Sequence, residues 1–283
     1  MELDQKWKNV LKFSLDNEKK SITRSYSNEW NQFGTRSYLA ECNYIVGIDF
    51  FRKRENLKFK QKLYNSALIY EYCFKVYKSN WISFNMKPYS YALLSDNKNL
   101  VNRFSNISLE NLEKDKTAFF SYSIQGLLRN DPEMIYEAIK IIDIGILSGK
   151  EVSIKKAHKM CIEGIVNKDE ELILKGIDEF ELKKNKKRFI ESDICENFIS
   201  FFPIIYAKIA WMKGMEVNPE SKFMPIELLK INPLEEYTIP YWFLRDFYRE
   251  EGLNWRYKPI HPNLQDWDTD LENLDRGKRN LFT

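Results

Sequence analysis

A chain of 283 residues with 43% hydrophobic and 15% aromatic side chains can bury a sizeable core without disulfide or metal staples, and it is too rich in core formers for intrinsic disorder. Its 44 basic and 41 acidic residues nearly cancel, to a net +3, which leaves no field able to hold a polyanion over a whole face and disfavours general nucleic-acid binding. Ten Gly and nine Pro are few for this length, and they favour long helices with short connections over a turn-rich sheet protein.

The opening residues, MELDQKWKNVLKFSLDNEKK, lack the uninterrupted apolar stretch of a secretory signal, which points to a cytoplasmic protein. Apolar periodicity predicts helices near 3–15, 18–33, 36–51 and 58–79. In the last of these Leu63, Ala67, Tyr70, Phe74 and Tyr77 form one stripe. The cation-dense FRKRENLKFKQK between the third and fourth reads as a solvated helix end or loop.

After Trp81 three segments share a plan: LLSDNKNLV (93–101), LLRNDPEMI (127–135) and IVNKDEELI (165–173) each place two apolar residues, a polar turn and a new apolar pair. With Leu100, Met134 and Leu172 taken as equivalent, the spacings are 34 and 38 residues, the period of stacked helical hairpins. The Trp, Gly and Tyr pattern of a tetratricopeptide unit is missing, so the repeats are degenerate. Ser108, Asp131 followed by Pro132, and Ser153 are the expected helix starts, while Gly145, Gly149 and Gly164 are expected at or near helix ends. The run KKNKKR (183–188) is expected to close a helix with solvated cations at its negative end.

Next comes the most apolar stretch, ICENFISFFPIIYAKIAWM. Asp193 and Glu196 form an expected capping box at its start, and two adjacent stripes make it apolar over most of its circumference. Glu196, Pro203 and Lys208 interrupt it too often for a membrane span, so it is expected to be a buried central helix, kinked at Pro203 and ended by Gly214. The strip after it carries Pro219, Pro225, Pro233 and Pro240, which predicts short turns and extended pieces held on the core by Phe223, Leu228, Tyr237 and Trp242.

An apolar helix ending in KGMEV, followed by MPIELL, a proline-leucine step and IPYWFL, resembles the C-terminal part of bacterial polymorphic-toxin immunity proteins of the family called immunity protein 49. LLSDNKNLV and LLRNDPEMI are similar to the helical middle of that family. The resemblance covers about residues 80–245. It implies an all-helical cytoplasmic protein that binds and neutralises a cognate toxin, with no catalytic residue and no cofactor to carry over.

The residues themselves offer little chemistry. His158 sits among lysines and is expected to be exposed or to pack on a helix face, and His261 lies in an extended stretch. No nucleophile elbow or phosphate loop accompanies them. Cys42, Cys73, Cys161 and Cys195 lie far apart in apolar contexts and read as reduced core thiols. In DWDTDLENLD (266–275) the first half imitates a calcium loop, but Leu271 stands where glycine is needed and Gly277 where the bidentate glutamate belongs, so no metal is expected.

The sequence therefore predicts one all-α domain over 1–283, with N-terminal helices (1–80), a core (81–250) and a tail (251–283). Its stacked antiparallel helical hairpins form a degenerate α/α array around the kinked central helix. The expected partner is a cognate toxin, with neither nucleic acid nor membrane. Trp255, Asp266, Trp267, Asp268, Asp270 and Glu272 are the candidate contact residues, as aromatic anchors with charged neighbours. A carboxylate-based helical hydrolase and a helical protein-interaction adaptor are the alternatives.

Overall fold

The structure, a computed structural model, describes residues 2–26, 32–77, 87–108, 119–149, 152–244 and 247–248. The fold is all-α, with twelve α-helices, two short 3-10 turns and no strand among the described residues. Two compact units make up the chain: residues 1–78 with 234–283, and residues 79–233.

In the first unit α1 (Glu2–Tyr26), α2 (Gln32–Arg52) and α3 (Asn56–Tyr77) pack in sequence, α1 on α2 and α2 on α3. The expected break near residue 16 does not occur. The polar stretch around Asp16 and Asn17 is an exposed side of one continuous helix that Trp7, Ser14, Glu18 and Ser21 anchor on the other. Leu63, Ala67 and Tyr70 are buried as the stripe predicts, whereas Phe74 and Tyr77 are half-buried near the helix end. Burial extends round α3 to Lys60, Asn65, Ser66 and Glu71, because residues 237–244, with Phe247 and Tyr248, cover the side that α2 leaves open. Gln61 exchanges hydrogen bonds with the backbone of Thr238 at 2.8 and 3.1 Å. The Tyr241 hydroxyl accepts from Asn43 at 2.5 Å, and the Tyr248 hydroxyl donates to Glu71 at 2.8 Å.

The second unit is built from helix-turn-helix pairs: α4 (Lys87–Leu94) with α5 (Lys98–Ser105), α6 (Phe119–Arg129) with α7 (Pro132–Leu147), and α8 (Val152–Asn167) with α9 (Glu170–Glu181). Their three turns repeat in detail. Asp96, Asn130 and Lys168 take the left-handed conformation with φ of 60, 56 and 56°, and the residue after each caps the next helix. Asn97, Asp131 and Asp169 accept from the amides of Leu100, Met134 and Leu172 at 2.8, 3.1 and 2.9 Å, the same three residues that the sequence spacing made equivalent. A fourth turn of this form, unnoticed in the sequence, joins α2 to α3. Arg54 has φ of 62° there, and Glu55 N–H donates to the Phe50 carbonyl at 2.9 Å as Asp131 does to Gly126.

Several local expectations are corrected. The three glycines expected at or near helix ends do lie there, but only Gly149 is left-handed, with φ of 74°. Gly145 and Gly164 lie within helices, where the lack of a side chain admits Lys155 and Ile173. Ser153 is not a cap but donates across to Glu179 at 2.9 Å. The Ser108 helix start leads into residues 109–118, which lie outside the described residues. KKNKKR opens α10 (Lys183–Ser192) instead of closing a helix, and its Lys186 is buried.

The central apolar segment is not one kinked helix. A 3-10 turn (Ile194–Asn197) precedes α11 (Phe201–Met212), with Ser200 between them at the N-cap. Pro203 falls in the first turn of α11, where its missing N–H has no intrahelical partner to lose, so no kink is needed. The expected capping box is also rearranged. Asp193 accepts from Cys195 N–H at 2.9 Å, while Glu196 reaches forward to Phe201 N–H at 3.2 Å. Gly214, with φ of 81°, closes the helix as expected. α11 is buried on most of its surface and packs against α4, α8, α9 and α12 (Ile226–Leu229), which makes it the hub of this unit.

Candidate partner-binding cleft

α6, α8 and α11 end in the same way, each closed by a left-handed residue: Asn130, Lys168 and Gly214. The ends of these helices line one cleft of about 590 Å³. Leu127 and Ile135 come from the second hairpin, Ile165 and Val166 from the third, and Met212 and Met215 from α11 and its turn. Val166 and Met212 remain 50% and 39% exposed, an apolar floor that nothing among the described residues covers.

The rim is polar and basic. Asn130, Lys168 and Lys213 surround the floor. The Lys213 ammonium donates to the Asn130 side-chain oxygen, and partial burial holds its pKa below the usual lysine range. Three helix C-termini carry partial negative charge, which the two lysines complement while keeping their charge at the surface. An apolar floor beside two cations suits a partner surface that offers an apolar side chain flanked by carboxylates. Sequence reasoning missed this cleft. The two turns that build two of its walls, at Asn130 and Lys168, were visible as part of a repeat, but α11 reaches them only through the fold.

Trp255, Asp266, Trp267, Asp268, Asp270 and Glu272 lie outside the described residues, as does His261. His158 is fully buried, contrary to an exposed reading, among the rings of Phe119, Phe120, Phe180, Phe202 and Tyr206 at centroid distances of 4.6–6.1 Å. Its Nδ1 is 2.8 Å from the Tyr206 hydroxyl, and Nε2 has no hydrogen-bond partner among the described residues. Burial alone holds the imidazole well below its ordinary pKa, so it stays neutral in the fold. The unfolded ring protonates near pH 6.5 while the folded ring does not. The stability this group contributes is therefore complete above pH 6.5 and lost as pH falls below it. His158→Phe is expected to flatten that acid limb, by at most about 1.4 kcal/mol per pH unit. Urea unfolding between pH 7 and 5 checks it, and equal slopes in the two proteins would exonerate His158.

A second buried cluster joins α9, α10, the 3-10 turn and α11. Lys186 Nζ lies 3.2 Å from Glu196 and 3.8 Å from Glu181, donates to the Ser200 hydroxyl, and sits 4.3 Å from the Phe223 ring centroid. Ser200 and Ser221 donate to Glu181 at 2.5 and 3.2 Å. Burial pushes the Glu196 carboxyl up to about 7, against the pull of Lys186. This cluster fills the break between α10 and α11 and satisfies polar groups that the break would otherwise strand. The four cysteines are buried and free, and burial pushes the Cys42 and Cys73 thiols up to about 12, away from thiolate chemistry.

Among the described residues no group of three or more His, Cys, Asp and Glu side chains is placed to hold a metal ion, and no helix is long and apolar enough to cross a membrane. No protein-family model matches the chain, and no curated protein or solved structure shows significant similarity to it.

Proposed function

We propose that the chain is an immunity protein, acting in the cytoplasm to bind a cognate bacterial toxin domain and neutralise it by occlusion. The reading rests on the resemblance over residues 80–245 and on one observation above all: the cleft at the helix ends, with Val166 and Met212 exposed beside Lys168 and Lys213. Such a surface favours a macromolecular partner, because apolar anchors surrounded by charges supply affinity at the centre and association rate at the rim. The toxin surface would place an apolar side chain between Val166 and Met212 and carboxylates opposite the lysines.

The test is co-purification with the toxin encoded beside this gene, together with protection of cells that express that toxin. Failure of both would remove the immunity reading. Val166→Glu combined with Met212→Glu is expected to weaken the complex about thirty-fold, the loss of one hot spot worth about 2 kcal/mol, with an unchanged circular dichroism spectrum. A stable complex that ignores both substitutions would keep the function and move the interface elsewhere.

A further inference from the structure

Ala138, Ile141, Ile142 and Gly145 form the buried side of α7, which packs on α6 and α8. The opposite side is apolar yet open. Tyr136, Ile144 and Leu147 stand 66, 56 and 87% exposed there, and Leu147 is the most exposed large hydrophobic side chain among the described residues. Between Tyr136 and Leu147 lie two charges on the same face, Lys140 and Asp143, with side chains 55 and 45% exposed.

Tyr136, Lys140, Asp143 and Leu147 are spaced four, three and four residues apart, the a/d seam along which helices pair. One arrangement makes this seam complementary to itself. Turned antiparallel on a copy about a two-fold axis midway between Lys140 and Asp143, it sets Tyr136 opposite Leu147 at each end and Lys140 opposite Asp143 twice at the centre. Parallel pairing would set like charge on like charge. Sliding the antiparallel pair by a heptad would set Asp143 against Glu133 or Leu147, so the charges fix both direction and register. Each charge also has a partner within the chain: Lys140 lies 3.7 Å from Glu137, and Lys159 of α8 donates to both Asp143 oxygens at 2.8 and 2.9 Å. The first is a loose surface pair, and a carboxylate keeps lone pairs for a second cation.

We propose that this face of α7 is the interface of a symmetric antiparallel homodimer. A lipid surface would fit it poorly, because the charges occupy the middle of the apolar stripe instead of its border. A single helix pair buries less than the roughly 1,200 Å² of a standard interface, so the dimer is weak and depends on concentration. The face belongs to the second unit, and the proposal does not rest on the toxin-binding reading.

Sedimentation equilibrium of the full chain over a concentration series measures the dimer, and charge reversal tests its register. The native chain is expected to self-associate reversibly. Lys140→Glu and Asp143→Lys are each expected to weaken association about a hundred-fold, since the two-fold axis repeats an unfavourable contact worth about tenfold. An equal mixture of the two variants is expected to regain association, because the new acid of one chain meets the new base of the other while the second pair stays native. Leu147→Ser, at a residue exposed in the single chain, is expected to weaken the dimer about tenfold and leave the circular dichroism spectrum unchanged. A native chain that stays monomeric at every concentration overturns the proposal, as does a dimer indifferent to the charge reversals or a mixture of folded variants that stays monomeric. Should either charge variant fail to fold, Leu147→Ser decides, and unchanged association then overturns the proposal.

Discussion

Replacing Lys208 by Met is expected to lower the stability of the second unit by about 3–5 kcal/mol, read as a fall in the urea midpoint. Lys208 and Asp96 form an ion pair at 2.5 Å with both side chains 1% exposed. The ammonium also donates to the carbonyls of Leu228 and Lys230 at 2.9 and 3.0 Å, and Asp96 accepts from Asn232 N–H at 3.2 Å. Removing the cation leaves a buried carboxylate and two carbonyls without it, and this uncompensated burial dominates the loss. Asp96→Asn in the Lys208→Met background is expected to restore part of the stability, because Asn is neutral and tolerates the left-handed φ of 60°. A loss below about 1 kcal/mol for Lys208→Met would reduce the pair to the energetic rank of a surface ion pair.

Gly164→Ala should destabilise by about 1–3 kcal/mol, although Ala in a helix ordinarily gains roughly 0.5–1 kcal/mol over Gly. A Cβ at this position would lie 2.7 Å from Ile173 Cγ1 and 2.9 Å from both Ile173 N and Asp169 O. Two of those three atoms are backbone, so no rotamer change relieves the clash and α8 must move off α9. Gly126 meets Ile135 in the same way, at 2.9 Å from Cγ1 and 3.1 Å from N, and should respond with the same sign. Thermal unfolding of the two variants decides the matter. A gain in stability on Gly164→Ala would show that the helices close without needing the glycine.

The hairpins were legible because their determinants are local. A left-handed residue followed by Asn or Asp, with an apolar residue three positions later, spans a handful of neighbours and leaves a pattern at 34 and 38 residues. The α2–α3 turn escaped notice because Glu55 occupies the position where the other turns carry Asn or Asp. Two errors share a different cause. KKNKKR reads as solvated because five of its six residues are cations, yet Lys186 is drawn inside by Glu196 and Glu181, which meet it only in the fold. Pro203 reads as a kink only if the helix begins at Asp193, and the start at Phe201 makes the proline harmless. The candidate cleft was illegible for the same reason, since no sequence window contains Asn130, Lys168 and Met212 together.

The strip laid along α3 also sets an order of events during synthesis. The hairpins of the second unit close over a few residues and can form as soon as they leave the ribosome, with little loop entropy to overcome. In the first unit Asn43 finds the Tyr241 hydroxyl 198 positions later, and Glu71 finds that of Tyr248 177 positions later. α3 is made long before its cover emerges. Until then its buried carboxylate and aromatic face stand open, and a nascent chain stalled before residue 234 would present them to chaperones.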